Sequence, residues 1–130
     1  MKNLFTTIVL IISRISCSDA QQVEKLNAKE FKDLMEKTPN KIVLDVRTNG
    51  EVAQGVLPQA TQNDYNGQNF ESQINKLDKA KPVFVYCAVG GRSGSASGIL
   101  AKKGFKQVYN LDGGINAWRA FGFATTTLKK

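Results

Sequence analysis

Residues 82–104 read PVFVYCAVGGRSGSASGILAKKG, and the order of their parts decides the architecture. Pro82 opens VFVYC (83–87), a short continuous apolar run of the kind found in strands buried on both faces. A glycine-rich loop follows. From Ser93 to Lys103, Ala96, Gly98, Ile99, Leu100 and Ala101 suit a helix packed closely on a sheet, with Gly104 as its C-terminal cap and Ser93 as its N-cap. A strand end, a glycine loop and a helix start in succession bring backbone N–H groups together, the arrangement that holds an anion.

The same alternation continues on both sides. Upstream, Asn27 with Glu30 forms a capping box opening a helix over Ala28 to Lys37, with Phe31, Leu34 and Met35 on one face. IVLDV (42–46) reads as another buried strand, followed by a long loop with Gly50, Gly55 and Pro58, and by helical periodicity over Phe70, Ile74 and Leu77. Downstream, VYNL (108–111) predicts a third strand, and Asp112-Gly113-Gly114 turns into a last helix that sends Ile115, Trp118 and Phe121 to the core. No internal repeat is present. Strand and helix in alternation imply an α/β domain with a largely parallel sheet, whose ligands belong at the carboxyl ends of the strands. Cys87 stands at such an end.

The chain has 130 residues, 42% of them hydrophobic, enough for one core. Its formal net charge is +7, yet Lys and Arg are spread along the sequence apart from Lys102-Lys103 and Lys129-Lys130. No basic patch interleaved with aromatics appears, so nucleic acid is not the expected partner, while anionic small molecules or acidic partners are favoured. Residues 1–20, MKNLFTTIVLIISRISCSDA, combine Lys2, an apolar run from Leu4 to Ile12 and small residues around Asp19, the pattern of a secretory signal cleaved after Ala20. The run is too short for a membrane span, which takes about 20 apolar residues. Acylation at Cys17 is the alternative, and it would be the only route to the membrane; Arg14 three residues earlier weighs against it. Either route exports a domain over residues 21–130, with a periplasmic location expected. Loss of residues 1–20 leaves 16 cations and 10 carboxylates, a net charge of +6.

Cys87 is then the sole thiol, and the chain contains no histidine. An isolated cysteine ending a core strand is ordinarily a small buried apolar residue; the loop after it favours a nucleophile instead. Cys–His and Ser–His couples are excluded, and one thiol without an imidazole gives no metal site. No cofactor is expected. Backbone amides and a neighbouring cation must then lower the thiol pKa, from about 8.5 into the roughly 3.5–7.5 range of activated cysteines. Gly90 and Gly91 let the backbone curl toward the sulfur. Arg92 either fixes an anionic substrate or braces the loop against a carboxylate or carbonyl. Ser93 has no base and is not a second nucleophile.

Three blocks in order resemble a single-domain rhodanese: LDVRTNGEVAQGVLPQA (44–60), YCAVGGRS (86–93) and LDGGINAWRAFG (111–122). The resemblance runs from Leu26 to about Gly122. It implies a central five-stranded, mainly parallel sheet flanked by helices, and a sulfurtransferase cysteine that accepts sulfane sulfur as a persulfide and passes it to a nucleophile. Cys87 would be the catalytic residue, Ala88, Val89, Gly90, Gly91, Arg92 and Ser93 the substrate-binding loop, and Asp45 with Arg47 its structural support. The implied partners are a small sulfur-containing anion or persulfide donor and a thiol or cyanide-like acceptor, with a monomer as the default. Ala88 and Val89 replace the basic residue that many thiosulfate-using relatives carry after the cysteine, which points to polysulfide or a protein persulfide as donor. Val56 stands where the family often has histidine. Similar phosphatases and arsenate reductases use Cys-x5-Arg, whereas Cys87 to Arg92 is Cys-x4-Arg, a smaller loop. A non-catalytic sulfur carrier or interaction module remains the other alternative.

Overall fold

The computed structural model describes residues 22–130. The expected leader and Cys17 lie outside the described residues. Elements follow in the order β1 (Val23–Leu26), α1 (Ala28–Lys37), β2 (Ile42–Asp45), α2 (Asn49–Val52), β3 (Ala60–Gln62), α3 (Phe70–Ile74), β4 (Val83–Tyr86), α4 (Gly91–Lys102), β5 (Val108–Leu111) and α5 (Gly114–Ala120). The strands make one sheet in the order β1-β5-β4-β2-β3, and every pairing is parallel. Helices cover both faces, as a parallel sheet requires.

Alternation along β4 shows why its run of apolar residues has no polar face. Val83, Val85 and Cys87 join Leu44, Phe70, Ile74, Ala96 and Leu100 in a core beneath α3 and α4. Phe84 and Tyr86 point the other way, into a core with Phe31, Met35, Ile115 and Trp118 from α1 and α5. Phe31 meets Phe84 edge-on, with ring centroids 5.3 Å apart. Each such buried side chain contributes about 1.5–3 kcal/mol. The capping box of α1 is present: the Glu30 N–H donates to Asn27 Oδ1 at 2.9 Å and the Asn27 N–H to Glu30 Oε1 at 3.4 Å.

Several local expectations are corrected. Ser93 is not the N-cap of α4; the helix begins at Gly91 behind Gly90, whose φ of +111° a glycine adopts without strain. Placed inside the first turn, Ser93 is fully buried. Phe121 leaves the core face because α5 ends at Ala120, and it lies 56% exposed, stacked on Phe123. The helix from Phe70 closes at Ile74, although Leu77 still packs on the core. β1, β3 and α2 fall where no element was expected. Val56 is buried, and its N–H and C=O exchange bonds of 2.8 Å with Thr126, tying the C-terminal tail to the loop before β3.

Candidate active site

Cys87 follows β4 directly, at the carboxyl end of the central strand. Its sulfur is the acceptor of a loop whose amides turn inward: the Gly90 N–H donates to Sγ at 3.0 Å, and Ser93 Oγ lies 3.4 Å away. The carbonyls of Cys87 and Ala88 turn away from the sulfur, and the reason lies in the last helix. The N–H groups of Ile115 and Asn116, in the first turn of α5, donate to Cys87 O at 2.9 Å and Ala88 O at 3.2 Å. With these two carbonyls held there, the opposite edges of their peptides, the N–H groups of Ala88 and Val89, are free to face the sulfur, as that of Val89 does. Gly114 permits this approach: its φ is +59°, and a Cβ would lie 2.4 Å from both carbonyl oxygens. Gly113, at φ +76°, would press a Cβ to 2.7 Å from that of Ala117. The paired glycines therefore make more than a turn; they dock the helix on the cysteine loop.

The thiol is 1% exposed, and burial is the largest single influence on it, pushing its pKa up. The hydroxyl of Ser93 and the backbone amides of Ser93, Gly90 and Val89 together outweigh burial and hold the thiol below its ordinary value. Hydrogen bonds to the charged form favour that form. Ser93 has one proton and three acceptors within reach, namely Asn110 Oδ1 at 2.7 Å, Gly90 O at 3.2 Å and the sulfur. Were the Asn110 carboxamide turned over, Nδ2 would donate to Ser93 Oγ and leave the hydroxyl proton for a thiolate.

Arg92 is engaged by a carboxylate. Its Nη1 and Nη2 donate to Glu51 Oε1 and Oε2 at 2.7 and 2.8 Å, a two-pronged pair. Glu51 is itself fixed at the start of α2, where Thr48 Oγ1 donates to Oε1 at 3.0 Å and the Glu51 N–H donates back to Oγ1 at 3.4 Å. The Arg92 guanidinium, helped by Thr48 against partial burial, lowers the Glu51 carboxyl to about 2. Of the two roles open to Arg92, this contact is the one a brace makes.

Asp45 and Arg47 sit one layer below. Arg47 Nη2 donates to Asp45 Oδ2 at 2.8 Å and Nε to Oδ1 at 3.0 Å, with the two side chains 3% and 0% exposed. Nη2 also reaches Gly55 O at 2.7 Å, and Nη1 reaches Glu51 O at 3.4 Å. The pair thus ties the end of β2 to the segment that carries Glu51, and through Glu51 to the cysteine loop. Tyr86 completes the layer, its hydroxyl accepting the Leu57 N–H at 3.0 Å. Among the remaining loop residues, Val89 is 66% exposed and Gly91 is exposed, while Ala88 and Gly90 are half-buried.

Three participants escaped the sequence reading. Glu51 was signalled by the Thr48-x-x-Glu51 capping box. Asn110 was signalled by being the one polar residue of an apolar strand, VYNL. The docking role of Gly114 had no local signal, since the atoms it makes room for lie 26 and 27 residues earlier in the chain.

Fold and site together define a parallel α/β domain built around a cysteine held in an amide-lined loop. The chain belongs to the rhodanese-like domain family, which matches residues 27–121. It is 31% identical over 100 residues to a sulfurtransferase of Allochromatium vinosum, covering 77% of this chain and 92% of that one. It is 43% identical over 75 residues to the tRNA uridine(34) hydroxylase of Pelagibacter ubique, a match over 57% of this chain and only 25% of the longer relative. The structure of a rhodanese-related protein from Thermoplasma volcanium superposes with a TM-score of 0.70 at 25% identity, over 81% of this chain and 99% of that one.

Proposed function

We propose that this chain is a sulfurtransferase that carries sulfane sulfur on Cys87 between a small sulfur donor and a thiophilic acceptor. The Cys87 thiolate attacks the outer sulfur of the donor. A Cys87–S–S⁻ persulfide forms as the donor's sulfur–sulfur bond breaks, with sulfite leaving from thiosulfate or a shortened chain from polysulfide. An acceptor thiolate or cyanide then attacks the terminal sulfur, takes it, and returns Cys87 as thiolate. Both resting states are anionic. The observation that carries this reading is the convergence of the Gly90 amide and the Ser93 hydroxyl on a sulfur with no imidazole to ionise it.

Donor choice follows from the commitment of Arg92 to Glu51. Ala88 and Val89 bring no cation, and the one guanidinium of the loop is already satisfied by a carboxylate. A compact dianion such as thiosulfate therefore gains little, whereas a protein persulfide carries a single charge and a polysulfide spreads its two along the sulfur chain. The same commitment weighs against a phosphatase, which needs its loop arginine free for the oxyanion. The expected export of the domain belongs to the same reading and is checked by fractionating cells that express the full chain.

Mass spectrometry of the protein after treatment with each donor tests the proposal. One added sulfur atom is expected, faster with polysulfide than with thiosulfate, absent in Cys87→Ser and removed by cyanide. Absence of a persulfide with every donor would move the chain to the interaction-module class.

A further inference from the structure

The lysines that look dispersed in the sequence are collected by the topology onto one end of the molecule. In a sheet whose strands all run the same way, every helix-to-strand connection returns to the amino edge. The end of α1 and its connection to β2 carry Lys37 and Lys41; the connection from α3 to β4 carries Lys76, Lys79 and Lys81. The end of α4 and its connection to β5 add Lys102, Lys103 and Lys106. Direct contacts join these segments: Lys103 Nζ donates to Asn75 Oδ1 at 3.1 Å, the Val83 N–H to Gln107 O at 3.0 Å and the Ile42 N–H to Pro82 O at 2.9 Å.

The imbalance is local. These segments hold eight lysines against two carboxylates, Glu36 and Asp78, a net of +6. The other eight cations and eight carboxylates of residues 22–130 cancel. Among the described residues none of the eight lysines has a carboxylate within 4.0 Å; six are exposed, and Lys41 and Lys103 are half-buried. Such a concentration of unpaired charge opposes folding by self-repulsion. A second observation says what it faces. β1 begins at Val23 on this same edge, where Gln22 O accepts the Val108 N–H at 2.8 Å, so an acyl anchor at Cys17, if carried in place of cleavage after Ala20, would tether the domain by this edge.

We infer that the lysine-rich amino edge of the sheet is a docking surface for an anionic phospholipid bilayer, with the cysteine loop at the opposite end facing away from it. Cys17 lies five residues before Gln22, so a chain acylated at that point, the alternative to cleavage after Ala20, would keep Gln22 at the start of this edge within about 17 Å of the headgroups. Each lysine near an anionic leaflet strengthens binding about fivefold, and salt weakens it. The surface is remote from Cys87, and the inference stands apart from the sulfur chemistry.

Co-sedimentation of the full chain with phosphatidylcholine vesicles, with and without phosphatidylglycerol, tests it. Binding to the anionic vesicles in excess of the neutral ones, diminishing with salt, is expected. Lys79→Gln, Lys102→Gln, Lys103→Gln and Lys106→Gln together should cost about a hundredfold or more of that excess. The matched quadruple Lys25→Gln, Lys29→Gln, Lys129→Gln and Lys130→Gln should cost less than about tenfold. Both variants should keep the wild-type circular dichroism and rate of persulfide loading. Equal binding to the two kinds of vesicle, or equal losses in the two quadruples, would overturn the inference. So would tighter binding to duplex DNA or an acidic polypeptide than to the anionic vesicles, lost in the first quadruple.

Discussion

Gly114→Ala is the sharpest probe of the site, because it alters the cysteine loop without touching any residue of that loop. At φ +59° an L-residue costs about 1–2 kcal/mol. Its Cβ would meet Cys87 O and Ala88 O at 2.4 Å, so the loop or the helix must retreat by about 1 Å to reach ordinary contact. That movement stretches the bonds from Ile115 and Asn116, each contributing about 1 kcal/mol, for a total destabilisation of about 3–4 kcal/mol. The sulfur is affected as well as the fold. Freed carbonyls let their peptides rotate, and losing the Val89 N–H, on the same peptide as Ala88 O, from a thiolate removes about 1.5–3 kcal/mol of preference for the charged form. The Cys87 pKa should rise by about one to two units. Iodoacetamide alkylation rates measured against pH give that pKa directly, and urea unfolding gives the stability. Gly50→Ala serves as the control, since a Cβ there meets nothing within 4 Å. A folded Gly114→Ala protein with the wild-type alkylation midpoint would refute the proposed coupling between α5 and the sulfur.

Three further outcomes are expected. Ser93→Ala removes the hydroxyl beside Sγ and should raise the Cys87 pKa by about one unit, seen in the same alkylation profile. Glu51→Gln should cost about 1 kcal/mol near neutrality, screening by solvent having reduced the contribution of this one-third-exposed pair. Because the Glu51 carboxyl is depressed in the folded chain, that contribution is complete above its unfolded value of 4.5 and disappears as pH falls through about 2. Urea midpoints of the wild type and variant should therefore converge between those limits. Asp45→Ala strands a guanidinium that is only 3% exposed and should destabilise the domain by about 3–5 kcal/mol, read by urea or thermal unfolding.

Much of the architecture was legible because its signals are local. VFVYC and IVLDV announce strands covered on both faces, Asn27 and Glu30 announce a helix start, and Gly104 announces a helix end. Cys87 followed by glycines places the candidate site at a strand terminus from the sequence alone. Edge strands left weaker traces: β1 is largely exposed and β3 spans three residues, so neither shows the apolar run or the alternation that burial imposes. Pairing across distance was legible to no local pattern. Whether Arg92 would clamp substrate or brace the loop depended on Glu51, 41 residues away, and only folding brought that carboxylate within 2.7 Å. Ser93 looked like a cap and became a buried donor, because the helix began two residues earlier behind a left-handed Gly90. The lysines looked scattered for a similar reason. Their spacing along the chain carries no hint that parallel strands return every helix to the same edge, and their mutual proximity exists only in three dimensions.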